Sequence, residues 1–165
     1  SLSEGAFANY DNNPSNSDVY GNLYNGFTAH DERGVCPEGF HIPSETEIEQ
    51  LHWNIAPNPF YGIGQGGENA VTGGMLKETG YEHWFSPNTG ATNESGFTGL
   101  PTGLRDFQFG HFEQQMNYGY LWSSTLDPLN PTVDAIGRTL GYDYQEVSIN
   151  TPDKRFGFSV RCIQD

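Results

Sequence analysis

The sequence predicts an α+β domain, with helices early and a small twisted antiparallel sheet late. Three observations predict it. Residues 44–55 carry the signature of a capped amphipathic helix. Short apolar stretches separated by turn residues recur between 119 and 162. Twenty-one Gly and ten Pro in 165 residues keep the elements short.

Taken in order, residues 1–17 are polar and Asn-rich and are expected as a loosely ordered lead-in, through about residue 18, of a single domain spanning 1–165. Residues 19–24 alternate well enough for a short strand. A polar loop, 28–34, leads to Cys36. Ser44 and Glu47 have the spacing of a capping box, and Glu45, Glu47 and Glu49 bring negative charge to the positive end of the helix dipole. Ile48, Leu51 and Ile55 share one face, so a helix is predicted over 45–55, stopped by Pro57. A Gly-rich stretch follows. Its Gly62-x-Gly64-x-x-Gly67 imitates a dinucleotide fingerprint, but no apolar strand precedes it and no βαβ unit surrounds it. A second short helix is expected over 70–78, ended by Gly80 and weakened by Gly73 and Gly74. Residues 82–119 read as loop. Strands are expected over 120–125, 135–140, 145–149 and 156–162, forming an antiparallel meander.

The core must be aromatic: eleven Phe, nine Tyr and three Trp stand beside two Met. Formal net charge is -14, from seven Lys plus Arg against twenty-one Asp plus Glu. Nucleic acid and anionic lipid are therefore poor partners. The acidity reads either as solubility in a salty or extracellular medium or as divalent-cation binding, and the two are compatible. No apolar run reaches membrane-span length, so no membrane insertion is expected. No signal-peptide pattern opens the chain, which is expected to be a module of a longer protein or a mature form. The two cysteines, Cys36 and Cys162, can pair only with each other. A loop-rich chain with few Lys favours a disulfide; two buried free thiols are the alternative. Neither cysteine has the neighbours of a zinc site.

Five segments carry a family resemblance: Cys-Pro-Glu-Gly-Phe-His-Ile-Pro-Ser (36–44), Met-Leu-Lys-Glu-Thr (75–79), Ala-Thr-Asn-Glu-Ser-Gly-Phe (91–97), Gly-Tyr-Leu-Trp-Ser-Ser-Thr (119–125) and Gly-Phe-Ser-Val-Arg-Cys (157–162). In this order and spacing, from about Tyr20 to Asp165, they resemble the bacterial Fibrobacter succinogenes major paralogous domain. The resemblance implies a fold related to C-type-lectin-like and formylglycine-generating-enzyme-like domains. Such a fold has two short helices, a small sheet, a long loop region carrying the site, and neighbouring chain ends that suit a Cys36–Cys162 bridge. Some members resemble calcium-dependent peptide-binding modules of large RTX adhesins. That implies an extracellular module on the bacterial cell surface, monomeric within a larger chain. Its partner would be the C-terminal peptide of a host-cell surface protein. A carbohydrate ligand is the alternative, although neither Glu-Pro-Asn nor Gln-Pro-Asp occurs.

Two loop regions offer oxygens of the kind Ca2+ takes. One holds Asn88, Asn93 and Glu94, joined by Asp106; the other holds Asp127, Asp134 and Asp143. Neither follows the EF-hand pattern, and each acid alone also reads as a solvated charge or a turn-forming side chain. A bound calcium would invert the local sign and leave a coordination position for a peptide α-carboxylate. Gly-rich backbone N–H groups with Arg105 or Arg138 would complete the capture. Tyr118, Tyr142 and Tyr144 are candidates for the wall of a shallow pocket, or else core. Arg161 is expected to be structural. Catalysis is not expected. Ser123-Ser124 lacks a nucleophile-elbow context, and the five His form neither a triad by spacing nor H-E-x-x-H. The cysteine pair used by formylglycine-generating relatives is here expected to be a staple.

Overall fold

The computed structural model describes residues 4–56 and 71–165; the Gly62–Gly67 motif and Pro57 lie outside them. The order begins with β1 (Phe7–Ala8), a 3-10 turn (Tyr10–Asn12), α1 (Pro14–Tyr20), β2 (Leu23–Asn25) and α2 (Gly26–Ala29). It continues through β3 (Phe40–His41), α3 (Glu45–Ile55), α4 (Thr72–Leu76), β4 (Leu104–Arg105) and β5 (Phe112–Glu113). The last elements are β6 (Tyr118–Leu126), β7 (Ala135–Gly141), β8 (Val147–Asn150), β9 (Gly157–Phe158) and β10 (Ile163–Gln164).

The α+β class holds, with corrections. Among the described residues four short α-helices stand where two were expected. The stretch expected as a loose lead-in instead carries β1, the 3-10 turn and α1. Local chemistry explains α1: the Asn13 side chain accepts the Ser15 N–H, and Pro14 takes the first helical position. The strand expected over 19–24 shifts to Leu23–Asn25, because α1 runs through Tyr20.

Helix α3 follows the sequence signal closely. The Ser44 side chain accepts from Glu47 N–H, and the Glu47 carboxylate accepts from Ser44 N–H at 2.8 Å, completing the capping box. Helix α4 is shorter than expected. Its Gly73 and Gly74 are there for close approach: a Cβ at Gly73 would stand 2.2 Å from the Glu146 carbonyl oxygen, and one at Gly74 2.2 Å from that of Gly90. No side chain fits there.

In place of a single late sheet, the described residues form three sheets. β6, β7 and β8 form the expected antiparallel meander, with a register shift between Trp122 and Leu126. The strand expected at 156–162 does not extend it. Only Gly157–Phe158 is strand, and it enters a five-stranded sheet ordered β1-β2-β9-β4-β5. Its neighbours there are two or three residues long. β10 pairs with β3 next to the Cys36–Cys162 disulfide, whose Cα atoms are 5.8 Å apart. The alternative of two free thiols is thereby removed.

The sheets meet at one aromatic stack. Phe158 lies against Trp122 at 4.6 Å and Tyr120 at 4.9 Å between ring centroids. Trp122 is fully buried, and its indole N–H donates to the Tyr24 carbonyl at 2.8 Å, so the ring's polar edge is satisfied. A second core cluster joins Leu76, Trp84, Leu140 and Val147, with Leu51 and Ile55 of α3 packed on it.

Candidate functional site

The loops that the sequence singled out are held together by Lys77, which follows α4. Its side chain has no exposed surface, yet its ammonium donates to three backbone carbonyls: Gly141 at 2.7 Å, Tyr144 at 2.8 Å and Thr89 at 2.9 Å. It also lies 5.5 Å from the centre of the Trp84 ring. Burial pulls its pKa down from 10.5 to about 8, opposed by the charges of Asp143 and Glu146. One cation thus ties the 88–95 loop to the β7–β8 connection.

This clamp gathers several of the expected residues. Thr89 N–H donates to the Tyr142 carbonyl at 2.8 Å, setting Asn88 beside that connection. Tyr118 packs against Tyr142 at 6.0 Å and Tyr144 at 6.2 Å, so the three tyrosines form one cluster. The exposed Asp143 lies close to Tyr118, whose pKa is raised first by burial and then by the Asp143 charge. Burial also raises Tyr144, and it pushes Tyr120 beneath the cluster up to about 12. Asn88 is buried at positive φ, and its amide N–H₂ donates to the carbonyls of Glu78 and Gly80. Its Oδ1 is buried and has no hydrogen-bond partner among the described residues.

The remaining candidates lie apart. Asn93 closes its own turn, accepting from Thr98 N–H at 2.8 Å and donating to the Thr98 hydroxyl at 2.9 Å. Glu94 beside it is exposed. Asp106 accepts from Phe109 N–H at 2.6 Å. Asp127, buried, accepts from Leu129 N–H at 3.1 Å, and Asp134 accepts from the Asn130 amide at 2.8 Å. These are turn-closing roles. Among the described residues no three His, Cys, Asp or Glu side chains converge where one metal ion could sit. A calcium ion at the Lys77 junction would therefore depend on amide and carbonyl oxygens as much as on carboxylates. The unpartnered Asn88 Oδ1 and the Asp143 carboxylate are donors of the right chemical kind.

The two arginines separate. Arg138 is buried and paired with Glu45 at the start of α3, so it is engaged inside the fold rather than at a surface. Arg105 on β4 lines a different place. This is a cleft of about 60 Å³ across the five-stranded sheet, shared with Phe7, Asp106, Phe107, Arg155 and Gly157. A larger apolar cavity of about 280 Å³ lies between α3 and the β6–β8 sheet. The charged side chains in its wall are engaged elsewhere: Glu47 with Ser44, Arg138 with Glu45, and Arg161 with the Phe97 carbonyl.

Sequence reasoning missed Lys77, Arg155 and Gly157 as site-forming residues. The available signal for Lys77 was a lysine between Leu76 and Glu78 in a motif that carries the resemblance, in a chain with few cations.

A family model described as the Fibrobacter succinogenes major domain matches residues 1–164. No curated protein and no solved structure matches the chain. No helix among the described residues is long and apolar enough to cross a membrane. The disulfide marks an oxidising, non-cytoplasmic setting.

Proposed function

The chain belongs to the Fibrobacter succinogenes major domain family, and from that premise we propose that it is a non-enzymatic, calcium-dependent ligand-binding module of a large bacterial surface adhesin. In this reading its fold is C-type-lectin-like, and its ligand is the free C-terminus of a peptide on a partner cell. The observation that carries the reading is the loop face assembled on Lys77. There one buried ammonium holds the carbonyls of Thr89, Gly141 and Tyr144, and Tyr118, Tyr142 and Tyr144 cluster on the same connection. A rigid clamp beneath irregular loops is what a binding face needs, because ordering costs are then met before the ligand arrives.

Each group has a part. Asp143 and Asn88 Oδ1 would hold calcium together with loop carbonyls. Calcium, when bound, supplies positive charge in an acidic surface that would otherwise repel a carboxylate. Tyr118, Tyr142 and Tyr144 offer ring faces and hydroxyls to the ligand's last residues.

An amide-resolved NMR titration with calcium chloride tests the metal component. The reading expects saturable shifts concentrated in residues 88–95 and 141–146, lost in Asp143→Asn. Shifts spread over all acidic loops, without saturation, would defeat it.

A further inference from the structure

We infer that the cleft at Arg105 is a second binding site, a metal-independent pocket for a single carboxylate. It lies on the five-stranded sheet and shares no lining residue with the tyrosine cluster, so it does not rest on the calcium reading.

The first argument is the state of the cations. The chain has seven Lys and Arg. Arg33, Lys77, Arg138, Lys154, Arg155 and Arg161 each donate a hydrogen bond to a protein oxygen. The Arg105 side chain alone makes no hydrogen bond or ion pair with any described residue. Its Nε is buried and unpartnered, and the guanidinium rests on the Phe112 ring at 5.5 Å. A buried N–H left unmade is costly, and in a protein of net charge -14 a free guanidinium with no acid on it is unexpected.

The second argument is shape. Gly157 and Gly110 keep the space open. A Cβ at Gly157 would stand 3.0 Å from Arg105 Cβ, and one at Gly110 3.5 Å from Arg105 Nη2. The cleft volume of about 60 Å³ suits a carboxylate and its first carbon, well below the hundreds of Å³ typical of drug-sized ligands. A guanidinium fork matches the planar carboxylate in geometry.

The third argument is charge balance. Arg155 also lines the cleft, but Asp153 already holds it by two hydrogen bonds, at 2.9 and 2.5 Å, and it stacks on Phe107 at 4.0 Å. Asp106 faces the same space and is engaged by Phe109 N–H. Arg105 is therefore the guanidinium left to neutralise, and the complement is a monoanion. The carboxylate can come from a chain terminus or from an Asp or Glu side chain.

The test is NMR of the arginine Nε–H signals in EDTA, with two short peptides. One has a free C-terminus and no acidic residue; the other is amidated and carries one Glu. The expected result is a saturable shift of the Arg105 signal with at least one peptide, and the responding peptide identifies the source. Arg105→Gln should weaken binding at least tenfold, and Arg33→Gln should leave it unchanged. Should Arg105→Gln fail to fold, Arg105→Lys keeps the charge without the fork and should still bind at least threefold more weakly than wild type. No saturable shift with either peptide would overturn the proposal. So would undiminished affinity in a folded Arg105 variant.

Discussion

Lys77 donates its ammonium to the Gly141 carbonyl at 2.7 Å, joining residues 64 positions apart. Together with the bonds to Thr89 and Tyr144, it crosslinks the 88–95 loop and the β7–β8 connection through one cation. The loops thus have an internal cation before any calcium binds. Calcium, in the proposed function, serves the ligand rather than the fold.

Replacing Lys77 with Met should leave three buried carbonyls without their donor. The expected loss is about 3 kcal/mol or more. Urea denaturation at pH 7 checks it, and Lys77→Arg should not rescue, because a planar fork cannot reach three carbonyls arranged around a point charge.

The same residue sets a pH dependence. Its folded pKa of about 8 lies below the 10.5 of the free side chain. Between these values the unfolded chain binds more protons, so the Lys77 contribution to stability rises with pH across that window. That pH-dependent gain is absent below pH 8, where the side chain is protonated in both states. The stability difference between wild type and Lys77→Met should therefore grow from pH 8 to pH 10, measured by urea midpoints.

The α3 cap titrates at the acid end. Hydrogen bonds from Ser44, then His41, hold Glu47 down to about 2. A lowered acid contributes stability above its unfolded value of 4.5 and loses it as pH falls through 2. His41, raised by its bonds to Asp165 and Glu47, contributes below 6.5 and loses that contribution as pH rises through its folded pKa. Ser44→Ala should cost about 1 kcal/mol at pH 7. The mutant should also show a shallower stability loss between pH 4.5 and 2.

The buried Arg138–Glu45 pair is predicted to be asymmetric to mutation. Removing one partner, as in Glu45→Leu, should destabilise the fold, because it takes an acid away from a buried guanidinium. Arg138→Met together with Glu45→Leu should recover most of it, as a double-mutant cycle on urea midpoints would record.

Reduction of the Cys36–Cys162 bridge frees a loop closed over 126 positions. The chain-entropy model gives a loss of about 4–5 kcal/mol. That corresponds to a fall in melting temperature of roughly 10 °C or more for a domain of this size. Calorimetry with and without reductant checks it.

What could be read from sequence was local. Helix α3 was legible because its N-cap Ser44, Glu47 and the Ile48–Leu51–Ile55 face all belong to one helix of eleven residues and the cap before it. The β6–β8 meander was legible because its strands are long enough to show a pattern. The five-stranded sheet was not, since strands such as Gly157–Phe158 and Leu104–Arg105 are too short for periodicity and pair across the whole chain. The tyrosine cluster was anticipated as three residue names, but its organiser was missed. Three carbonyl oxygens leave no trace in side-chain identity, so the one signal for Lys77 was a scarce cation inside a motif that carries the resemblance. Arg105 and Arg138 looked equivalent in sequence. Only tertiary packing distinguishes the one held by Glu45 from the one without an acid.

The central claim is calcium-dependent recognition of a free peptide C-terminus at the Lys77-organised face. The most direct measurement is isothermal titration of the Arg105→Gln domain, which removes the second site, with a free-acid peptide and its amidated twin, in calcium and in EDTA. The account predicts binding of the free-acid peptide in calcium alone, with at least tenfold weakening on amidation or chelation. Equal binding of both peptides, or binding unchanged by EDTA, would contradict it.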